Sequence, residues 1–225
     1  MPCDRSDCPH APARRLRRRL KCRILYSGLP TWALPQSKAS GGFESQESSK
    51  VKRVRNIETE AALDFLKQNQ PMPDDDRLTE ELITEYDEIR LFFIVNHDPR
   101  CIPLFLNSFG KGDGFGVYQL VEDVIAAYPV DWVVPCIDLA LRSADPNIRY
   151  WCAQIAERFP VYDLIEPLQS AMQREDEGSF FALISLEHIG APEAIASVRD
   201  FMKSVKNAEL KQDIIDAMPA AYLKD

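Results

Sequence analysis

No run of apolar residues in this 225-residue chain approaches the roughly 18 that a membrane-spanning helix needs. The N-terminus also lacks the apolar core of a secretory signal, so the expected compartment is the cytoplasm. Histidine is scarce: His10, His97 and His188 are the only three, and they stand far apart. That argues against a histidine-rich metal centre or a histidine acid–base pair. Glycine is scarce as well, nine in all, and four of the nine crowd into residues 110–116. Aromatic residues make up only 9% of the chain against 45% hydrophobic overall, which fits a globular protein with one ordinary core and excludes a fibre.

The net charge of −8 conceals a division. Residues 1–50 hold ten Lys/Arg against four Asp/Glu, and residues 51–225 hold seventeen against thirty-one, so the head is +6 and the body −14. An acidic body repels phosphate backbones and steers basic partners toward itself, so nucleic acid is a poor ligand for it. The six cysteines divide equally: Cys3, Cys8 and Cys22 in the head, Cys101, Cys136 and Cys152 in the body. Cys136 and Cys152 fall on apolar helix faces and are expected in the core as free thiols, in keeping with a reducing compartment.

The head mixes Pro, Ser and Gly with an arginine run, Arg14, Arg15, Arg17, Arg18 and Arg19, and shows no apolar periodicity. Too little surface can be buried to offset the ordering entropy, and disorder is expected. The run suits an anionic surface, nucleic acid or a transit segment. Cys3, Cys8, His10 and Cys22 match no common zinc-finger spacing. The alternative is that the head is not native, since the amphipathic pattern begins only after Val51 and an alternative start codon can encode valine. An intact mass that includes residues 1–50 would dispose of that alternative.

From Ile57 a helical period appears, with Ile57, Ala61, Ala62, Phe65 and Leu66 on one face. The loop QPMPDDDR, residues 70–77, then leads into a long helix from about Thr79 to Asn96, striped by Leu82, Tyr86, Ile89 and Phe93. Glu80, Glu81, Glu85, Asp87 and Glu88 crowd its first half, where acid complements the helix dipole.

Next comes a repeat. Pro103, Pro135 and Pro167 lie 32 residues apart, and Ser197 takes the equivalent place 30 further on. One residue after each stand Leu104, Cys136, Leu168 and Val198; ten after stand Asp113, Asp145, Glu177 and Asn207; seventeen after stand Leu120, Cys152, Ile184 and Ile214. Asp131 and Asp163 each precede their proline by four and are expected to N-cap a helix with that proline in its first turn. Tyr128-Pro129 and Phe159-Pro160 stop the preceding helices, and the short turns force antiparallel neighbours. The expected core stripes are Ile148, Cys152, Ile155, Ala156 and Phe159 on one helix and Leu164, Ile165, Leu168, Ala171 and Met172 on the next.

These residues carry a family likeness. VVPCIDLALRSADPNIRYWCAQIAERF, residues 133–159, resembles the HEAT repeat, and CIPLFLNSF, LIEPLQSAM and AIASVRDFM resemble its second helix. The likeness spans about residues 98–220 and implies an all-α fold: an α-solenoid of about four HEAT-like antiparallel helix pairs, preceded by two N-terminal helices. Residues 1–50 then form the head and 51–225 the solenoid domain. The family's internal arginine is matched only by Arg149, with Val117, Phe181 and Lys211 at the equivalent positions, so the Asp–Arg ladder that often links repeats is expected to be absent.

Candidate chemistry is sparse. The loop GKGDGFG, residues 110–116, lacks the Gly-Lys-Ser/Thr ending of a phosphate loop, and it is expected to form an unusual turn presenting Asp113, Phe115 and Tyr118 to solvent as partner-binding residues. Tyr150 and Trp151 either anchor a partner or pack. The HEAT-like deoxyhypusine hydroxylases hold iron with several His-Glu pairs, of which this chain has only Glu187-His188, and HEAT-like DNA glycosylases present a basic groove that this body lacks. Second helices of HEAT pairs usually line the concave side, so the resemblance makes Asp138, Arg142, Glu166, Gln169 and Arg199 candidate partner contacts. The chain also resembles small acidic immunity proteins of bacteria. The expected function is therefore a non-enzymatic scaffold whose acidic curved surface binds a basic protein, with no cofactor or metal, in the manner of an immunity protein masking a basic toxin. The alternative is a HEAT-like enzyme or enzyme accessory, of lyase or hydroxylase type, with a site near residues 110–116.

Overall fold

The computed structural model describes residues 57–217, and among these the chain is all-α: ten α-helices and three short 3-10 turns, with no strand. No helix there is long and apolar enough to cross a membrane. The readings made for residues 1–50, and the boundary at residue 51, fall outside the described residues.

Helix α1 (Thr59–Gln68) buries Ala62, Leu63 and Leu66, whereas Ala61 is exposed, so its inward face is turned slightly from the expected one. Helix α2 (Glu80–Val95) begins where expected, because Thr79 Oγ1 accepts the Leu82 N–H at 3.2 Å. It buries Tyr86, Ile89 and Phe93 of the expected stripe, together with Ile83 and Phe92. There follow α3 (Cys101–Leu106), the 3-10 turns Gly114–Gly116 and Tyr118–Leu120, α4 (Val121–Ile125), α5 (Val130–Leu141) and α6 (Pro146–Ala156). A 3-10 turn at Tyr162–Leu164 leads into α7 (Ile165–Met172), and the described part ends with α8 (Glu177–Ile189), α9 (Pro192–Ser204) and α10 (Ala208–Ala217).

The repeat offset of ten residues has a physical cause in helix capping. Asp113 accepts the Gly116 N–H at 3.1 Å, Asp145 the Asn147 N–H at 2.8 Å, and Asp176 the Gly178 N–H at 3.0 Å. Asn207 accepts from Glu209 and Leu210, both at 3.1 Å. The last three side chains satisfy first-turn donors that have no intrahelical partner, whereas Gly116 N–H is shared with the Asp113 carbonyl at 3.0 Å. The cap Asp176 stands one residue before Glu177, the position at the offset of ten. The caps expected at Asp131 and Asp163 are corrected. Asp131 lies inside α5, which starts after Pro129, and Asp163 lies inside the 3-10 turn before α7. Pro103 and Pro167 do sit in first turns, but Pro135 stands mid-helix in α5.

The helices pack in two series. The odd-numbered ones meet in succession, α1 on α3, α3 on α5, α5 on α7 and α7 on α9, while α2 meets α4, α6 meets α8, and α8 meets α10. Contacts of α5 with α6, α7 with α8, and α8 with α9 bind one series to the other. The expected stripes of α6 and α7 are all buried, from Ile148 to Phe159 and from Leu164 to Met172. At about 1.5–3 kcal/mol per large apolar side chain, this seam is a principal source of stability. Helix α8 is apolar on nearly every side, as a helix enclosed by α6, α7, α9 and α10 must be. Its Gly178 lets the backbone of Tyr150 approach closely, since an added Cβ would stand 3.2 Å from Tyr150 N and Cα. Ser185 Oγ donates to the Ala153 carbonyl at 2.8 Å, so the polar atom in that contact is satisfied.

One buried Asp–Arg rung joins two of the helices. Arg149 on α6 is almost wholly buried, donates to the carbonyls of Ser143 and Ala144 at 2.8 and 2.9 Å, and pairs with the capping carboxylate Asp176. It thus ties the α5–α6 turn to the start of α8.

Candidate functional site

The glycine-rich loop is clasped by the aspartate-rich loop that precedes α2. Asp75 accepts the N–H groups of Asp113 and Gly114, each at 3.0 Å, and Asp74 accepts that of Lys111 at 3.1 Å. Backbone bonds from Met72 N–H to the Ser108 carbonyl (2.8 Å) and from Asp75 N–H to the Lys111 carbonyl (2.9 Å) complete the junction. The glycines are there for this close approach. A Cβ on Gly110 would fall 2.2 Å from the Met72 carbonyl oxygen, and one on Gly112, where φ is +118°, would fall 2.1 Å from Asp75 Cγ. Backbone donors of a kind that could cradle an anion are therefore engaged by carboxylates of the chain itself.

Two of the three side chains expected to face solvent from this loop behave otherwise. Tyr118 is fully buried, stacked edge-on against Tyr86, Phe109 and Trp151, and accepts the Gly110 N–H at 3.4 Å. Burial pushes its phenol up to about 12 against that hydrogen bond, and the carboxylates of Asp75, Asp74 and Asp113 add to the rise. Asp113 is half-buried and occupied with Gly116 N–H. Phe115 is the exception, 61% exposed and held at φ +52° between two glycines. A non-glycine residue in the left-handed region is uncommon, and here it places an aromatic ring in water.

Of the two readings of Tyr150 and Trp151, packing describes where the structure places them. Trp151 stacks on Phe109 with ring centroids 5.6 Å apart, Tyr150 meets Phe181 edge-on at 5.0 Å, and both residues are buried. Together with Tyr86, Phe93 and Phe105 they extend an aromatic core from α2 to α8. Core placement also accounts for two cysteines. Burial pushes the Cys101 thiol up to about 12, beside the Tyr128 hydroxyl at 3.2 Å, and raises that of Cys152, which donates to the Leu106 carbonyl at 3.4 Å. Cys136, expected in the core, is only half-buried.

The remaining candidates lie on the odd-numbered helices. Arg142 at the C-cap of α5 donates to Asp138 at 2.9 Å and bridges to Glu166 of α7, and these carboxylates, Glu166 foremost, raise its pKa. Glu166 and Gln169 also line an open polar groove of about 420 Å³ between α7 and α9, with Ser170, Gln173, Ser197 and Asp200. Arg199 is exposed on α9 but does not line the groove. Alongside stand apolar side chains that the sequence reading did not single out: Trp132 is 53% exposed and Leu139 71%. Their spacing of seven, with Pro135 and Cys136 between, marks a second apolar face of α5, opposite the buried positions 133, 134, 137, 140 and 141.

Among the described residues no group of three His, Cys, Asp or Glu side chains stands close enough to hold a metal ion. His188 lies in the last turn of α8, as expected of a helix-end residue, with Nδ1 3.6 Å from Glu157. Compared with protein families, curated proteins and solved structures, the chain matched none.

Proposed function

We propose that this protein is a non-enzymatic binding scaffold, an α-solenoid resembling HEAT repeats, whose odd-numbered helices form the face that receives another protein. The two series of helix contacts and the caps recurring at Asp113, Asp145, Asp176 and Asn207 support the solenoid reading. The observation that carries the functional reading is the division of labour among the candidates. Tyr118, Tyr150 and Trp151 are spent on the core, whereas Asp138, Arg142, Glu166, Gln169 and Arg199 share the odd-numbered helices with exposed Trp132 and Leu139. Large apolar side chains left in water beside carboxylates are the composition of a binding surface.

The partner is a basic protein, because residues 51–225 carry a net charge of −14 and like charge would be repelled. Masking a basic toxin is the form of this function that an acidic chain suits best. Mixing the purified chain with basic proteins encoded by neighbouring genes, then following size and mass in solution, tests it. A tight 1:1 complex that weakens as salt is raised is the expected result. A complex indifferent to salt, or none with any such partner, would overturn the reading.

A further inference from the structure

Helix α5 carries a surface that the other described helices leave uncovered. Trp132, Pro135, Cys136 and Leu139 fall at i, i+3, i+4 and i+7, which places them on one face. All four are exposed or half-exposed, opposite the buried face of Val133, Val134, Ile137, Ala140 and Leu141. The flank of this ridge toward α7 is acidic. Asp131 and Asp138 occur one heptad apart along α5, Glu166 faces them from α7, and Arg142, at the C-cap of α5, is already held between Asp138 and Glu166. Pro135 adds a further acceptor, because it has no N–H to give the Asp131 carbonyl four residues earlier.

We propose that this ridge docks an amphipathic helix of the partner protein, with aliphatic or aromatic residues against Trp132 and Leu139 and lysines or arginines along Asp131, Asp138 and Glu166. The inference rests on the protein-binding reading above and specifies which surface is used and by what chemistry. A helix suits the site because apolar anchors at i, i+3, i+4 and i+7 match the spacing of another helix's apolar stripe. A second copy of the chain suits it poorly. It would bring its own carboxylates, in a chain of net charge −8, against an acidic flank.

The test uses a labelled peptide of about 18 residues, some five helical turns, built from Leu and Lys as an amphipathic helix, and its Leu/Glu counterpart. Fluorescence anisotropy with the full chain should show the Leu/Lys peptide binding at least about tenfold more tightly than Leu/Glu. The Trp132→Ala/Leu139→Ser double variant keeps the charge unchanged and removes only the apolar anchors. It should weaken the Leu/Lys peptide at least about tenfold. Phe115→Ala, on a different surface, should not, and unchanged melting of each variant would show that folding is intact. Equal binding of both peptides, or binding indifferent to the double variant, would overturn the proposal. So would a dimer of the chain that the double variant dissolves, which would give the ridge to a second copy. A natural partner that binds the double variant as well as the parent chain would remove this ridge and leave the broader protein-binding reading standing.

Discussion

Replacing Arg149 with methionine tests whether α6 and α8 are joined by a buried charge pair as well as by apolar packing. The Arg149 side chain is only 8% exposed and Asp176 23%, so solvent screens the pair weakly. Methionine fills a similar volume but leaves three acceptors behind: the Ser143 and Ala144 carbonyls and the Asp176 carboxylate. Removing one partner of a buried pair costs about 3–5 kcal/mol, and the partial exposure of Asp176 places the expected loss near the lower end, about 3 kcal/mol. For a folded body of this size, that corresponds to a fall in Tm of roughly 6–12 °C. Asp176→Asn keeps an acceptor for the Gly178 N–H, so its cap survives while Arg149 loses its counter-charge. The two variants and their combination form a thermodynamic cycle, read from urea denaturation midpoints at constant slope. A coupling of about 1.5–3 kcal/mol is expected. A loss below about 1 kcal/mol for Arg149→Met, or additive single effects, would refute the rung as a structural link.

Three other perturbations probe separate parts of the argument. Ile155→Asp puts a carboxylate into a site only 2% exposed, within the seam that α6 shares with α8, and its thermal melt should fall sharply; an unchanged melt would mean that Ile155 is not core. Asp75→Ala removes the acceptor of the Asp113 and Gly114 N–H groups, which should cost about 1–2 kcal/mol and speed hydrogen exchange at residues 111–116. Unaltered exchange there would show that the backbone bonds alone hold the two loops. Native alkylation at pH 8, followed by peptide mass mapping, should label Cys136 well ahead of Cys101 and Cys152, whose thiols are buried and pushed up to about 12 or beyond reach of that pH; labelling of Cys152 at a matching rate would contradict its burial.

Helix existence was legible in the sequence because the stripes of α2, α6 and α7 obey a period that local geometry imposes. Turns were legible for the same reason, since Pro129, Pro160 and Gly190 act on their immediate neighbours. Even the capping series showed as a repeat offset, though its physical role became plain only when Asp113, Asp145, Asp176 and Asn207 were seen accepting first-turn N–H groups. What sequence could not resolve were choices made by distant residues. Asp75 reads as one of three solvated aspartates until the glycine loop, nearly forty positions on, is brought to it. Tyr150 and Trp151 read equally as display or as packing until α8 covers one and the Phe109–Tyr118 cluster the other.

Helix α5 makes the same point in reverse, and it bears directly on function. VDWVVPCIDLAL is apolar on both sides, so periodicity alone does not say which side is covered. Packing decides, by seating Val133, Ile137, Ala140 and Leu141 against the neighbouring helices and leaving Trp132 and Leu139 in water. Each exposed apolar side chain forgoes the roughly 1.5–3 kcal/mol that full burial would yield, with no return to the isolated chain. A partner that covers them recovers part of that free energy, whereas one that met only the Asp138–Arg142–Glu166 bridge would have to disrupt ion pairs that are already made. On the proposed docking, affinity would come from Trp132 and Leu139, and the carboxylates beside them would set orientation and the sign of the charge that is admitted.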